Sequence, residues 1–146
     1  MIYNRKEITS FWQPYYLENA IMLKSAKLEY PHAYGRFESS GGSLYLKGLG
    51  HMTAVELLIC LNQLSAFSVK KWTDQGLFGE INLDWEKSFI AFCKMHLRRI
   101  ISPDSDVVGT ISLTRTRRLR ETFFLALDYS FNENDFYGKV LFAVKQ

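Results

Sequence analysis

The sequence predicts an α+β fold in which a broad antiparallel sheet wraps around one long central helix. Three observations carry that expectation. Residues 52–71 include Ala54, Val55, Leu57, Leu58, Ile59, Leu61, Leu64 and Phe67, which cover most of a helical circumference over about five turns. A helix that is apolar nearly all round belongs inside a fold rather than on its surface. Downstream, the chain alternates apolar and polar residues at period two, as strands with one wet face do. The 146 residues also hold 11 Phe, 8 Tyr and 3 Trp, bulky rings that suit a wide sheet or a greasy pocket.

In chain order, residues 7–18 read as a short helix that Pro14 breaks or delays. Residues 21–38 read as extended, with Ile21, Leu23, Leu28 and Tyr30 interleaved by polar residues. Gly41-Gly42 marks a hairpin turn, and 43–47 is its return strand. Gly50 precedes the apolar helix, and Lys70 and Lys71 stand at its end, as the helix dipole favours. A polar connection covers 73–86. In 89–98, Phe89, Ala91, Cys93, Met95 and Leu97 alternate with the basic Lys94, His96 and Arg98, which predicts a strand with one apolar and one wet face. Pro103-Asp104 is a turn, and 107–114 alternates again. Residues 119–131 set Phe123, Leu125, Leu127, Tyr129 and Phe131 on one side. A turn at 132–135 and a last strand over 136–144 complete the reading.

Composition narrows the function classes. Hydrophobic residues make up 47% of the chain, so it can bury a full core, and without repeats, charge blocks or Gly/Ser linkers it reads as a single domain, 1–146. Eighteen Lys and Arg against 15 Asp and Glu give a net charge of +3, too small to imply nucleic-acid binding. No apolar run reaches the roughly 18 residues of a membrane span, and the opening MIYNRKEITSFW lacks an apolar signal core, so a cytoplasmic location is expected. Cys60 and Cys93 fit no metal or redox spacing and read as reduced, buried thiols.

The stretch Gly50-His51-Met52-Thr53-Ala54-Val55-Glu56 brings a histidine, a hydroxyl and a carboxylate to the start of the buried helix. The first-turn N–H groups carry partial positive charge and can hold a carbonyl oxygen as it gains negative charge. His51 can move protons near neutral pH, and Glu56 can act as base or orient it. Gln63, seven residues beyond Glu56, falls on roughly the same face. The plainer reading has Thr53 as helix cap, Glu56 as dipole partner and His51 as a loop residue. The chain has no Ser-His-Asp order, GxSxG elbow, phosphate loop or HExxH, so no hydroxyl or thiol nucleophile is indicated. Basic residues gather at Lys94, Arg98 and Arg99 and again at Arg115, Arg117, Arg118 and Arg120. On a strand, Arg115 with Arg117 and Arg118 with Arg120 form two rows suited to phosphates or an acidic partner, or simply a solvated face.

The run Ala33-Tyr34-Gly35-Arg36-Phe37, then Leu44-Tyr45-Leu46, then Gly50-His51 through Ala54-Val55-Glu56-Leu57 to Cys60-Leu61-Asn62-Gln63-Leu64, resembles the FcoT-like proteins. These are hot-dog-fold proteins described as long-chain acyl-thioester hydrolases, and relatives add glycine to a 2-enoyl chain on an acyl carrier protein. The resemblance is dense over 33–67 and collinear from Phe11 to the C-terminus. It implies a helix wrapped by an antiparallel sheet, a homodimer or dimer of dimers, and an acyl tunnel between subunits. Tyr15, Tyr45, His51 and Glu56 match the family's active-site residues. Thr53 stands where the family's thioesterase has asparagine.

The resemblance then implies roles. Tyr45 and the N–H groups near His51–Thr53 polarise the thioester carbonyl, and His51 and Glu56 activate water or an amine. Tyr15, Gly50, Asn62 and Gln63 bind substrate. Arg98, Arg115 and Arg117 meet phosphopantetheine, the phosphates of coenzyme A, or an acyl carrier protein. No cofactor and no metal is expected beyond the substrate's own carrier. Thioester hydrolysis is favoured. The alternatives are conjugate addition of glycine, with Arg36 or Arg98 as the cation for its carboxylate, and a non-catalytic acyl-thioester binding module. A dehydratase fits less well, because such hot-dogs carry the carboxylate nearer mid-helix, where this chain has Leu58 and Ile59.

Overall fold

The structure is a computed structural model that describes residues 1–17, 20–38, 52–79, 81, 83–102 and 106–145. The elements run β1 (Ile2–Tyr3), α1 (Arg5–Trp12), β2 (Leu23–Glu29), β3 (His32–Phe37), α2 (Ala54–Asp74), β4 (Asp84–Leu97), β5 (Val107–Leu119), β6 (Thr122–Phe131) and β7 (Phe136–Lys145). Among the described residues the strands form one antiparallel sheet of seven, in the order β1-β2-β3-β5-β6-β7-β4.

The apolar helix forms as α2, extending to Asp74 past the expected 71, with Lys71 in its last turn and a Lys70–Asp74 ion pair on its surface. Leu57, Cys60, Leu61, Leu64, Phe67 and Trp72 are buried against the sheet. One stripe stays open. Val55 is exposed, and Leu58, Ile59, Asn62 and Ala66 are half-buried, so α2 is not covered all round. The sheet answers with Phe123, Leu125, Leu127, Tyr129 and Phe131 on the inner face of β6, as the alternation predicts. Each such side chain taken from water contributes roughly 1.5–3 kcal/mol.

The short first helix begins and ends earlier than expected. Asn4 caps it by accepting the Glu7 N–H at 3.2 Å, and the chain leaves it at Gln13, before Pro14. Ile8 and Trp12 face inward, and the Phe11 ring meets Phe67 of α2 edge-on at 5.2 Å.

Three strand expectations change. The extended stretch 21–38 is two strands, β2 and β3, joined through Tyr30-Pro31. The turns at Gly41-Gly42 and Pro103-Asp104 and the return strand 43–47 lie outside the described residues. In β4, the register skips Ala91, with Ile90 opposite Phe142 and Phe92 opposite Leu141. This β-bulge flips the parity. Ile90, Cys93, Met95 and Leu97 stay on the helix side, while Phe89 and Phe92 join Lys94 and His96 on the outer face. A second bulge at Thr114 puts Arg115 opposite Ala126 and Arg117 opposite Phe124, both outward.

Two glycines permit close packing. Gly109 sits opposite Gly35, and a Cβ there would lie 2.6 Å from the Phe131 ring, which packs against Phe37 at 5.5 Å. At Gly138, a Cβ would overlap the Lys94 carbonyl oxygen. That bare position lets the buried Tyr129 phenol cross β7 and donate to the Lys94 carbonyl at 3.1 Å, tying edge strand β4 to the core.

Candidate active site

At the head of α2, Thr53 adopts extended backbone (φ −81°, ψ 160°), and its hydroxyl oxygen accepts the Glu56 N–H at 3.2 Å. The Glu56 carboxylate returns the contact. Its Oε2 accepts the Thr53 N–H at 2.7 Å and the Thr53 hydroxyl proton at 2.9 Å. The pair is a capping box, so the plainer reading of these two residues is present in the fold. It leaves a carboxylate that is only 1% exposed at the positive end of a 21-residue helix. Such a group is held in place by both the cap and the dipole. Tyr45, Gly50 and His51 lie outside the described residues. Their neighbour Met52 is buried, with its N–H donating to the Ile101 carbonyl at 2.9 Å, so the chain entering the helix is fixed one residue after His51.

Further along α2 the two amides part. Gln63 is fully buried, and its Oε1 accepts the N–H groups of Met22 at 2.9 Å and Leu23 at 3.0 Å while its Nε2 donates to the Ala20 carbonyl at 2.7 Å. That amide ties α2 to the chain entering β2. Asn62 faces the open stripe, and its Nδ2 donates to the Tyr16 hydroxyl at 2.9 Å. Beside this pair lies a cavity of about 260 Å³ walled by Phe11, Trp12, Tyr15 and Tyr16, with Asn62 and Ala66 of α2 and Ser88 of β4 completing it. Burial pushes the Tyr16 hydroxyl above its ordinary pKa, and the Asn62 hydrogen bond partly offsets the rise. Tyr15 lines the same cavity but is half exposed, edge-on to Trp12. The sequence reading missed Tyr16, Phe11 and Trp12. The four aromatic residues within 11–16, around a proline that ends a helix, were the available signal.

Of the arginines in the two expected rows, only Arg115 and Arg117 are brought together. Arg115 and Arg117 border a groove of about 350 Å³ with Leu119, Phe124, Ala126 and Leu141 on the outer sheet face, opposite the face that α2 covers. Arg118 opposes the inward-facing Phe123, and Arg120 occupies the turn between β5 and β6 with φ 54°, so no second paired row exists. Arg98 follows β4 at the other end of the sheet, its N–H on the Asp135 carbonyl at 2.7 Å. Both cysteines are free thiols, Cys60 buried and Cys93 half-buried. Burial raises the Cys60 thiol well above its ordinary pKa, with the Glu56 charge adding to the rise. No group of His, Cys, Asp and Glu suited to a metal occurs among the described residues. No described helix is long and apolar enough to cross a membrane.

Residues 11–138 match the FcoT-like thioesterase domain. The chain belongs to the FcoT-like thioesterase family. Solved structures carry the same fold at low identity. A mutant thioesterase from Pseudomonas aeruginosa superposes with a TM-score of 0.62 at 7% identity, covering 98% of this chain and 94% of that one. A thioesterase superfamily member from zebra fish gives 0.59 at 8% identity, covering 97% and 93%. A dehydratase heterocomplex from Xenorhabdus doucetiae gives 0.62 at 10% identity, covering 90% and 86%. A sequence comparison with the curated proteins finds no significant match. The family membership and these hot-dog neighbours bear out the α+β expectation of an antiparallel sheet with a helix.

Proposed function

We propose that this FcoT-like protein hydrolyses fatty acyl thioesters carried on phosphopantetheine, either coenzyme A or an acyl carrier protein. The observation that carries the reading is the buried Glu56 carboxylate held at the N-terminus of α2 by Thr53, in a chain of the thioesterase family. In this reading the thioester carbonyl is polarised by Tyr45 and by the Ala54 and Val55 N–H groups of the first turn, because the Met52 and Thr53 N–H groups expected to do so are already held by the Ile101 carbonyl and Glu56. His51 takes a proton from the attacking water, and Glu56 orients or relieves it. Thr53 acts through Glu56, because its hydroxyl proton already lies on that carboxylate. Tyr15 and Asn62 line the substrate entrance, and Gln63 holds the wall behind it. Arg115 and Arg117 suit an acidic carrier protein, whose charge they would complement from the outer face. No cofactor takes part beyond the substrate's own carrier, and the free thiols suit a reducing cytoplasm.

The same engaged hydroxyl favours a second reading. A threonine bonded to Glu56 cannot donate to the carbonyl as the family thioesterase's asparagine amide can, and conjugate addition of glycine to a 2-enoyl thioester has less need of that donor, because the amine attacks C3. Mass spectrometry of saturated and 2-enoyl thioesters, with and without glycine, separates the two. Free acid from both substrates is the expected result. A mass gain equal to glycine on the enoyl substrate alone assigns the addition, and no change in either leaves a binding module.

The working unit is a homodimer. β4 runs 14 residues along the sheet edge, with Phe89, Phe92 and Leu97 exposed by 54%, 57% and 56%. An edge this long and apolar is a template for another strand. A second copy pairing there would extend the sheet and cover the open stripe of α2. Sedimentation velocity at micromolar concentration is expected to give a dimer or a dimer of dimers, and a monomer would overturn the shared tunnel.

A further inference from the structure

We infer that the aromatic slot between the end of α1 and the Asn62–Ala66 stripe of α2 takes the amide-bearing pantetheine arm of the substrate, read by the Tyr16–Asn62 pair. This inference rests on the acyl-thioester reading above and says which part of that substrate enters the slot. Tyr16 hydroxyl oxygen already accepts an N–H from Asn62 at 2.9 Å. Its own proton and the Asn62 Oδ1 have no partner among the described residues. The pair therefore offers the Tyr16 O–H and the second Asn62 Nδ2–H as donors and Asn62 Oδ1 as an acceptor, side by side. A secondary amide presents their complement, a carbonyl for the Tyr16 proton and an N–H for Asn62 Oδ1.

The other components of such a reaction fit worse. An alkyl tail would cover both groups and satisfy neither, and half-buried polar atoms left unpaired carry a penalty. A carboxylate, such as that of glycine, needs a cation, and no lysine or arginine is among the described residues that line the slot. Its walls are the rings of Phe11, Trp12 and Tyr15, which accommodate the methylenes between amides. At about 260 Å³ the cavity lies below the roughly 300–1,000 Å³ that encloses a whole drug-sized ligand, so it holds a segment of one. Asn62 is held by Tyr16, so Tyr16 is both a contact and a positioning residue.

The test compares one acyl group on two leaving thiols, N-acetylcysteamine with its single amide and pentanethiol without it. The wild-type protein is expected to favour the amide by about tenfold or more in kcat/KM, the discrimination of one or two good hydrogen bonds. Tyr16→Phe, which keeps the ring, and Asn62→Leu should each collapse that ratio toward unity. A ratio unmoved by both substitutions overturns the inference, as does a wild-type ratio near one. Melting temperature identifies a variant that fails to fold, and the other variant then decides. Ligand-observed NMR with free pantetheine needs no turnover. Binding weakened by Tyr16→Phe in a protein that cleaves no thioester would sink the hydrolase reading and leave the slot's assignment standing.

Discussion

His51→Ala is expected to lower kcat by about 10²–10⁴, the range associated with loss of a general acid or base. The physical case is positional. Met52 is buried and its N–H is bonded to the Ile101 carbonyl, and Thr53 and Glu56 close the cap immediately after. These contacts belong to Met52, Thr53 and Glu56, so the cap that starts the helix is expected to survive the substitution, and an unchanged melting temperature checks it. The pH profile gives an independent readout. A histidine must be neutral to act as general base, so kcat/KM should rise with pH on the acid side of the profile, and the alanine variant should lose that limb. If kcat stays within threefold of wild type on a substrate the protein demonstrably cleaves, the proton is handled elsewhere and the reading of this helix start is wrong.

What the sequence made legible was what local pattern determines. α2 is apolar around most of its circumference, so the burial of Leu57, Cys60, Leu61, Leu64 and Phe67 could be read directly, although the stripe through Val55, Leu58, Ile59 and Ala66 stays open. The inner face of β6 follows from strict alternation over Phe123–Phe131. Thr53 and Glu56, three residues on, are a capping box visible as residue types, whereas the Asn4–Glu7 box was missed and the first helix placed two residues late. The other failures are long-range. Whether Ala91 or Thr114 bulges is decided by strands β7 and β6, so the parity of Phe89 and of the arginines could not be counted from spacing alone. Gln63 looked like a site residue because it is polar on an apolar helix, but its partners are the backbone of Met22 and Leu23, about forty positions away. Tyr16 and Asn62 meet across 46 positions, which hid the slot although each half stood in plain view. The exposed apolar side chains of β4 show the same limit. Alternation marked Cys93, Met95 and Leu97 as a buried face, and the described residues do not supply what would bury it.

Glu56→Gln is expected to lower kcat by about 10²–10³ while leaving the fold nearly as stable. The substitution separates two functions that the carboxylate combines. Glutamine at the third helical position still completes a capping box, since its carbonyl oxygen can accept the Thr53 N–H now held at 2.7 Å. It cannot take a proton or support a charged imidazole. Glu56→Ala removes both functions. It should cost about 1 kcal/mol of stability through the lost cap, in addition to the loss of turnover. Thermal or urea unfolding of the three proteins, read beside kcat on the same preparations, gives the decision. Glutamine matching wild type in both stability and turnover would reduce Glu56 to a helix cap. Turnover falling in glutamine and alanine alike, with stability falling only in alanine, assigns the carboxylate its place in catalysis. A fall in glutamine confined to KM would instead mean that the charge orders substrate, and the proton transfer would have to rest on His51 alone.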